Sequence, residues 1–233
     1  MSTIAERLSQ VRDNIAAAQA YSGVRHKVTI VAVTKTHDPE AIINIYNAGN
    51  TVIGENRVQE AADKFPRLPH LPGLVKRMVG HLQSNKVNRA LEIFDTIDAV
   101  DSVKLADKIA SRGRRLGTDT PVLLEINTSG EQSKFGFNPE DDQALLACCS
   151  LAGIAVNGLM TVGPLGADPP EIRSAFALLR RIKEDLNQQL RAESLIIKVL
   201  SMGMSSDYQI AVEEGSTMVR LGTTLFGPRK EYP

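Results

Sequence analysis

The chain has 233 residues and carries 27 lysines and arginines against 27 aspartates and glutamates, so its formal net charge at neutral pH is zero. That balance lacks the basic field that attracts nucleic acid or anionic membrane, and no segment has about 20 uninterrupted apolar residues or the pattern of a secretory leader. The expectation is a cytoplasmic chain with no nucleic-acid or membrane partner and a length sufficient for one large α/β domain, residues 1–233.

In chain order, an amphipathic helix over roughly Ile4 to Ala20 opens the sequence, and short apolar runs then alternate with segments of helical period. The runs are Val28 to Thr34, Thr51 to Ile53, Val75 to Val79, Thr96 to Val100, Val122 to Ile126, Ile154 to Met160, Ile196 to Leu200 and Met218 to Leu221. Candidate helices lie near 39–48, 56–65, 84–93, 102–115, 139–151, 170–191 and 206–214, several opening on Pro, Asp or Ser as helix starts prefer. Eight short strands with helical crossovers predict a closed (β/α)₈ barrel preceded by an extra N-terminal helix. A doubly wound open sheet of the same elements is the rival. The Pro-rich stretch 66–73 reads as a loop inside this alternation, and no internal repeat divides the chain. Cys148 and Cys149 are adjacent inside a helical pattern and read as buried inert thiols. The four histidines, His26, His37, His70 and His81, lack metal-ligand spacing, so no metal site is expected.

In a barrel, residues just after each strand share one rim, where active sites are built. Lys35 closes the run Val28 to Thr34, whose β-branched and small residues read as a strand covered on both faces. A snorkelling strand-end lysine is the structural alternative. The seventh run leads into Ser201-Met202-Gly203-Met204-Ser205-Ser206-Asp207 and the eighth into Gly222-Thr223-Thr224. Glycine admits an anion to the backbone and hydroxyls add donors, and the loops after strands 7 and 8 are the usual phosphate site of this architecture. Turn and capping roles would explain each loop separately. Arg220 is out of place in the apolar run Thr217 to Leu221, and strand alternation puts Met218, Arg220 and Gly222 on one face. It pairs either with Glu125 or Asp98 across the barrel or with a ligand lying between the phosphate loops and Lys35. A ligand with a phosphate at one end and a carbonyl for a lysine at the other points to pyridoxal phosphate.

The segments Val31-Ala32-Val33-Thr34-Lys35-Thr36, Gly54-Glu55-Asn56 with Gln59-Glu60, His81-Leu82-Gln83 with Asn85-Lys86, Gly158-Leu159-Met160, Leu200 to Ser205 with Asp207, and Gly215 to Thr223 together resemble the pyridoxal phosphate homeostasis protein family. The resemblance runs from the first helix to the last strand. It implies a barrel like the N-terminal domain of alanine racemase, pyridoxal 5'-phosphate as cofactor, a Schiff base on Lys35, Arg220 at the pyridine nitrogen, and phosphate contacts around Ser201, Gly222 and Thr223. Asn56 and Met160 line the pocket by the same resemblance. The chain departs from the family at Lys76-Arg77-Met78-Val79-Gly80, where relatives often carry Trp-His-Phe-Ile-Gly.

Attack on an aldehyde requires a neutral Lys35 amine, and burial beside a cationic Arg220 is expected to push its pKa down from the ordinary ~10.4. An arginine at the ring nitrogen cannot donate a full proton, which curtails carbanion chemistry. Two functions then compete: an amino-acid racemase, or a non-catalytic protein that holds pyridoxal phosphate and passes it to apoenzymes. Two-base racemisation needs a second acid/base group opposite the lysine, supplied in alanine racemase-like enzymes by a tyrosine of a further β-domain. Here the chain ends at Pro233, just past strand 8, and Tyr208, read as a helix-surface residue, is the one conceivable stand-in among Tyr21, Tyr46, Tyr208 and Tyr232. A Schiff-base aldolase is a third possibility, but it leaves Arg220 unexplained. The expectation is a monomeric binding protein with no catalytic residue of its own.

Overall fold

The computed structural model describes residues 2–131, 133–190 and 195–228. Across them eight parallel strands pair in chain order and close on themselves: β1 Thr29–Val33, β2 Val52–Glu55, β3 Val75–Met78, β4 Thr96–Val100, β5 Thr120–Glu125, β6 Ile154–Met160, β7 Val199–Ser201 and β8 Met218–Leu221. The open-sheet rival is excluded by the β8–β1 ladder, in which Thr29 pairs with Met218, Val31 with Arg220 and Ala32 with Leu221. The helices are α1 Ile4–Ser22, α2 Pro39–Asn47, α3 Val58–Lys64, α4 Val87–Ile93, α5 Val103–Leu116, α6 Asp142–Cys149, α7 Pro169–Leu190, α8 Tyr208–Glu213 and α9 Thr223–Phe226.

Strand alternation divides the core into two shells. Val31, Val33, Val79, Ala99, Leu123, Met160 and Met218 fill the barrel interior. Their neighbours Ile97, Val122, Leu124, Leu159 and Leu200 face outward to the helices, against residues such as Ile109, Phe176 and Leu179. Both faces of each strand are thus apolar, as the continuous runs in the sequence require. Helix α1 starts at a capping box in which Thr3 Oγ1 accepts from the Glu6 amide and the Thr3 amide donates to Glu6 Oε2. It buries Leu8, Val11 and Ile15 in a cluster with Tyr208, Val212 and Leu225, each large side chain contributing about 1.5–3 kcal/mol.

Several elements depart from the sequence expectation; the expected helix 139–151, for one, is Asp142–Cys149, and residues Ser84–Lys86 form a 3₁₀ turn ahead of α4. Strand β7 begins at Val199, not at Ile196, because the Asn187 side chain occupies both backbone groups of Ile197, accepting from its N–H and donating to its carbonyl at 2.9 Å each. Leu195 and Ile196 are left exposed. A short helix, α9, follows β8 where only a loop was expected, and it buries Leu225. A 3₁₀ turn at Phe65–Arg67 takes up the start of the Pro-rich stretch. Arg191, the last residue of the expected helix 170–191, lies outside the described residues. Cys148 is buried, and burial pushes its thiol up to about 12, whereas Cys149 is half-buried. No helix among the described residues is long and apolar enough to cross a membrane.

Gly158 marks the tightest approach of β6 to β7: a Cβ there would lie 2.1 Å from the Val199 carbonyl oxygen. Backbone cannot yield as a side-chain tip does, so Gly158→Ala should destabilise the fold by on the order of 3 kcal/mol, read as a lowered urea midpoint at unchanged slope.

Candidate functional site

Val31 and Val33 point into the barrel, and Lys35 continues their alternation just beyond the end of β1. It emerges on a cavity of about 810 Å³ that is also lined by Val33, Asn56, Val79, Arg220, Gly222 and Thr223. The β8–β1 register puts Arg220 level with Val31, four residues before Lys35, a rise of roughly 13 Å at about 3.3 Å per residue. Arg220 is therefore the deep end of the cavity and is buried. Thr223 and Ser206, both exposed, form its outer wall.

Of the partners open to Arg220 in the sequence, neither the Glu125 nor the Asp98 carboxylate is bonded to it. Nη1 donates to the Ser201 carbonyl at 2.7 Å and to the Ser201 hydroxyl at 2.9 Å, and Nη2 donates to the Thr161 carbonyl at 2.7 Å. A guanidinium has five N–H donors, so two remain beyond these three bonds while the group lines the cavity. Burial pushes its pKa below the ordinary arginine value, and the carboxylates of Glu125, Asp98 and Asp207 pull the other way. Asp98 is fully committed elsewhere: Arg77 grips it with Nε at 2.7 Å and Nη2 at 2.9 Å, and the Thr96 hydroxyl donates to it at 2.9 Å. Arg77 thus neutralises a carboxylate that is fully buried. Glu125, at the end of β5, has its pKa raised by burial, opposed by the attraction of Arg220.

The loops after β7 and β8 are bonded to each other, the Thr224 amide donating to Ser205 Oγ at 3.2 Å. Asp207 stiffens the first by accepting from the Met204 amide at 2.5 Å. Gly222 is a contrast to Gly158. A Cβ at Gly222 would meet only Val33, its carbonyl oxygen at 3.5 Å and Cβ at 3.9 Å, so the packing of the chain tolerates a methyl there and the added volume would enter the cavity.

Of the residues singled out in the sequence, Lys35, Asn56, Arg220, Gly222 and Thr223 share this one wall. Met160 and Ser201 lie a layer deeper. Met160 is part of the interior apolar cluster, and Ser201, fully buried, accepts from Arg220 through its hydroxyl and its carbonyl, which places it against the guanidinium. Tyr208 is not on the helix surface. It is buried against α1, with its hydroxyl accepting from Asn14 Nδ2 at 2.8 Å, which turns it away from the cavity. Tyr46 donates to the Pro72 carbonyl and Tyr21 is exposed, while Tyr232 lies outside the described residues.

Sequence reasoning missed what lies behind Lys35. Thr36 is the one non-glycine residue with positive φ among the described residues, at 63°, a conformation that costs roughly 1–2 kcal/mol. Its amide donates to Glu60 Oε1 at 2.6 Å. Lys64, buried, binds Glu60 and Glu55 at 2.9 and 2.6 Å. Burial raises the pKa of Glu55, against the attraction of Lys64. The available signal was the i,i+4 spacing of Glu60 and Lys64 in α3; the partnership with Glu55 is a product of the fold.

Known proteins resemble this chain over nearly its whole length. The family described as alanine racemase, N-terminal domain, matches residues 7–230. The pyridoxal phosphate homeostasis protein of Aquifex aeolicus is 38% identical over 227 residues, covering 97% of this chain and 98% of its own. The human protein of that name is 39% identical over 213 residues, covering 86% and 76%. The structure of PipY from Synechococcus elongatus with PLP bound is 38% identical with a TM-score of 0.84, covering 97% of this chain and all of that one. The alanine racemase of Clostridium difficile, at 18% identity and a TM-score of 0.69, shares the fold. The chain belongs to the alanine racemase N-terminal domain family and, within it, to the pyridoxal phosphate homeostasis proteins.

Removing the cation from the Arg77–Asp98 pair would leave a fully buried carboxylate uncompensated. Arg77→Met should cost about 3–5 kcal/mol, measured by denaturant unfolding, and the double variant with Asp98→Asn should recover part of the loss.

Proposed function

We propose that this chain binds pyridoxal 5'-phosphate in the cavity between Lys35 and Arg220, anchors it covalently on Lys35, and holds and releases it for apoenzymes without turnover of its own. The observation that carries this reading is the convergence of a strand-end amine, a buried guanidinium with donors to spare, and the two small-residue loops after β7 and β8 on one cavity of about 810 Å³. The names of the relatives and the PLP-bound structure of PipY support it.

Bound there, the cofactor supplies an aldehyde, which condenses with a primary amine with loss of water, and a pyridine ring able to draw off electrons. Lys35 would provide the amine. Gly222 and Thr223 would face the phosphate, since the one offers space that a Cβ would fill and the other a hydroxyl on the exposed wall. Asn56 would flank the ring from β2. Met160 would support the site from the barrel interior and Ser201 would act through Arg220, which it holds from below. Arg220 would donate a hydrogen bond to the ring nitrogen without surrendering its proton, because its other donors are fixed on two carbonyls and a hydroxyl and because a guanidinium keeps its charge. The ring would stay a weak electron sink, which favours holding over carbanion chemistry. The placement of Tyr208 against α1 supports the same conclusion, since racemisation requires an acid/base group facing the lysine across the cofactor.

Borohydride treatment of the protein incubated with pyridoxal phosphate, followed by peptide mass analysis, should give one adduct, on Lys35. Lys35→Ala should lose that adduct and the visible absorption band while unfolding cooperatively; an adduct retained elsewhere at equal yield would refute the assignment. Gly222→Ala should leave unfolding stability within about 0.5 kcal/mol of the parent but weaken pyridoxal phosphate binding by roughly tenfold, and should leave binding of phosphate-free pyridoxal nearly unchanged.

A further inference from the structure

We propose that Lys64 is a positioning residue for the Lys35 amine, acting with Glu55 and Glu60 on the two backbone groups that flank it. The inference rests on the reading of Lys35 as the anchor and concerns how its side chain is aimed. Lys64 Nζ donates to the Thr34 carbonyl at 2.9 Å, to Glu55 Oε1 at 2.6 Å and to Glu60 Oε1 at 2.9 Å, which accounts for all three protons of an ammonium. Glu55 Oε1 also accepts from the Thr34 hydroxyl at 2.6 Å, and Glu60 Oε1 from the Thr36 amide at 2.6 Å. The peptide groups on both sides of Lys35 are therefore tied to one ammonium. Thr34, the first residue beyond β1, is held on the outward side, and Thr36 is held in a left-handed turn one residue after the lysine.

A structural function alone does not account for this arrangement. The ammonium and the Glu55 carboxyl are buried, with side-chain exposures of 6% and 0%, and Glu55 Oε2 has no hydrogen-bond partner among the described residues. Apolar groups of the same volume commonly pin a helix to a barrel as well or better. What the ion network adds is direction: it fixes the backbone from which a side chain with four rotatable bonds departs, and with it the volume the Lys35 amine can reach. Positional control of this kind governs the rate of a bond-forming step more strongly than it governs binding of the partner.

The test uses the full chain and three substitutions, Lys64→Met, Glu60→Ala and Glu60→Gln. The rate of pyridoxal phosphate attachment to Lys35 is scored by borohydride trapping across a pH series, alongside thermal unfolding and the affinity for pyridoxine phosphate, which carries the same ring and phosphate without the aldehyde. Lys64→Met and Glu60→Ala should slow attachment by roughly tenfold to a hundredfold while changing pyridoxine phosphate affinity by less than about threefold, a split that mere loss of structure does not produce. Glu60→Gln retains the oxygen that accepts from Thr36 and should recover most of the rate. Parent-like attachment in folded Lys64→Met overturns the proposal, as does a proportional loss of pyridoxine phosphate affinity. Should Lys64→Met fail to fold, Glu60→Ala decides by the same criteria, because Glu60 is one quarter exposed. A parent protein that forms no adduct on Lys35 would instead overturn the reading of the site itself.

Discussion

The pairing of β8 with β1 is the constraint on which the rest of the molecule depends. It closes the barrel, and its register sets Arg220 beside Val31, so that the cation of the last strand and the amine beyond the first open on the same cavity although 185 residues separate them in sequence. Alternation does the remainder, since residues two apart on a strand share a face. Val31, Val33 and Lys35 line one inward row, and Met218, Arg220 and Gly222 the next. The seam beside it is thinner: β7 and β8 pair through Ser201 and Met218, and the buried Ser216 hydroxyl sits within hydrogen-bond distance of the carbonyls of Met202 and Met218. Backbone bonds from the Met202 amide to the Met218 carbonyl and from the Arg220 amide to the Gly203 carbonyl carry the contact between the two segments past the end of β7.

Charges placed inside a barrel must be satisfied there. The interior separates two tasks that the same carboxylates could have confused. Asp98 is closed off by Arg77 and Thr96, while Arg220 is held by neutral oxygens of β7 and of the segment after β6. A guanidinium bonded to a carboxylate would have its charge locally cancelled; one bonded to carbonyls remains a charged donor for a ligand. The attraction of Glu125 is felt across the interior without a direct bond among the described residues, so the cation is balanced at a distance and kept available at its surface.

The rim shows the same preference for fixed geometry. His81 bonds Asp101 at 2.9 Å and stacks on Phe135 with ring centres 3.8 Å apart, joining the loops after β3, β4 and β5. Lys134 donates to the Gly163 carbonyl at 2.9 Å and joins the loops after β5 and β6. Together with the Ser205–Thr224 bond and the Lys64 network, these ties hold the loops of this rim to their neighbours through side chains.

The order of elements was legible from the sequence because it follows from local patterning: eight apolar runs with helical periods between them. Lys35 and Arg220 were legible as anomalies for the same reason, each being a charge in or at the end of a segment that otherwise reads as buried on both faces. Boundaries failed where a side chain overrode the pattern, as Asn187 did at Ile197. The sequence by itself determined which residues are anomalous and on which strand face each must lie, since alternation is a property of the backbone. Only the tertiary structure decided their partners: that Ser201 supports Arg220, that Tyr208 turns to α1, that Arg77 claims Asp98, and that Lys64 reaches the peptides flanking Lys35. Partnership depends on distances of 2.6 to 2.9 Å between residues far apart in the sequence, and such distances exist only once the barrel has closed.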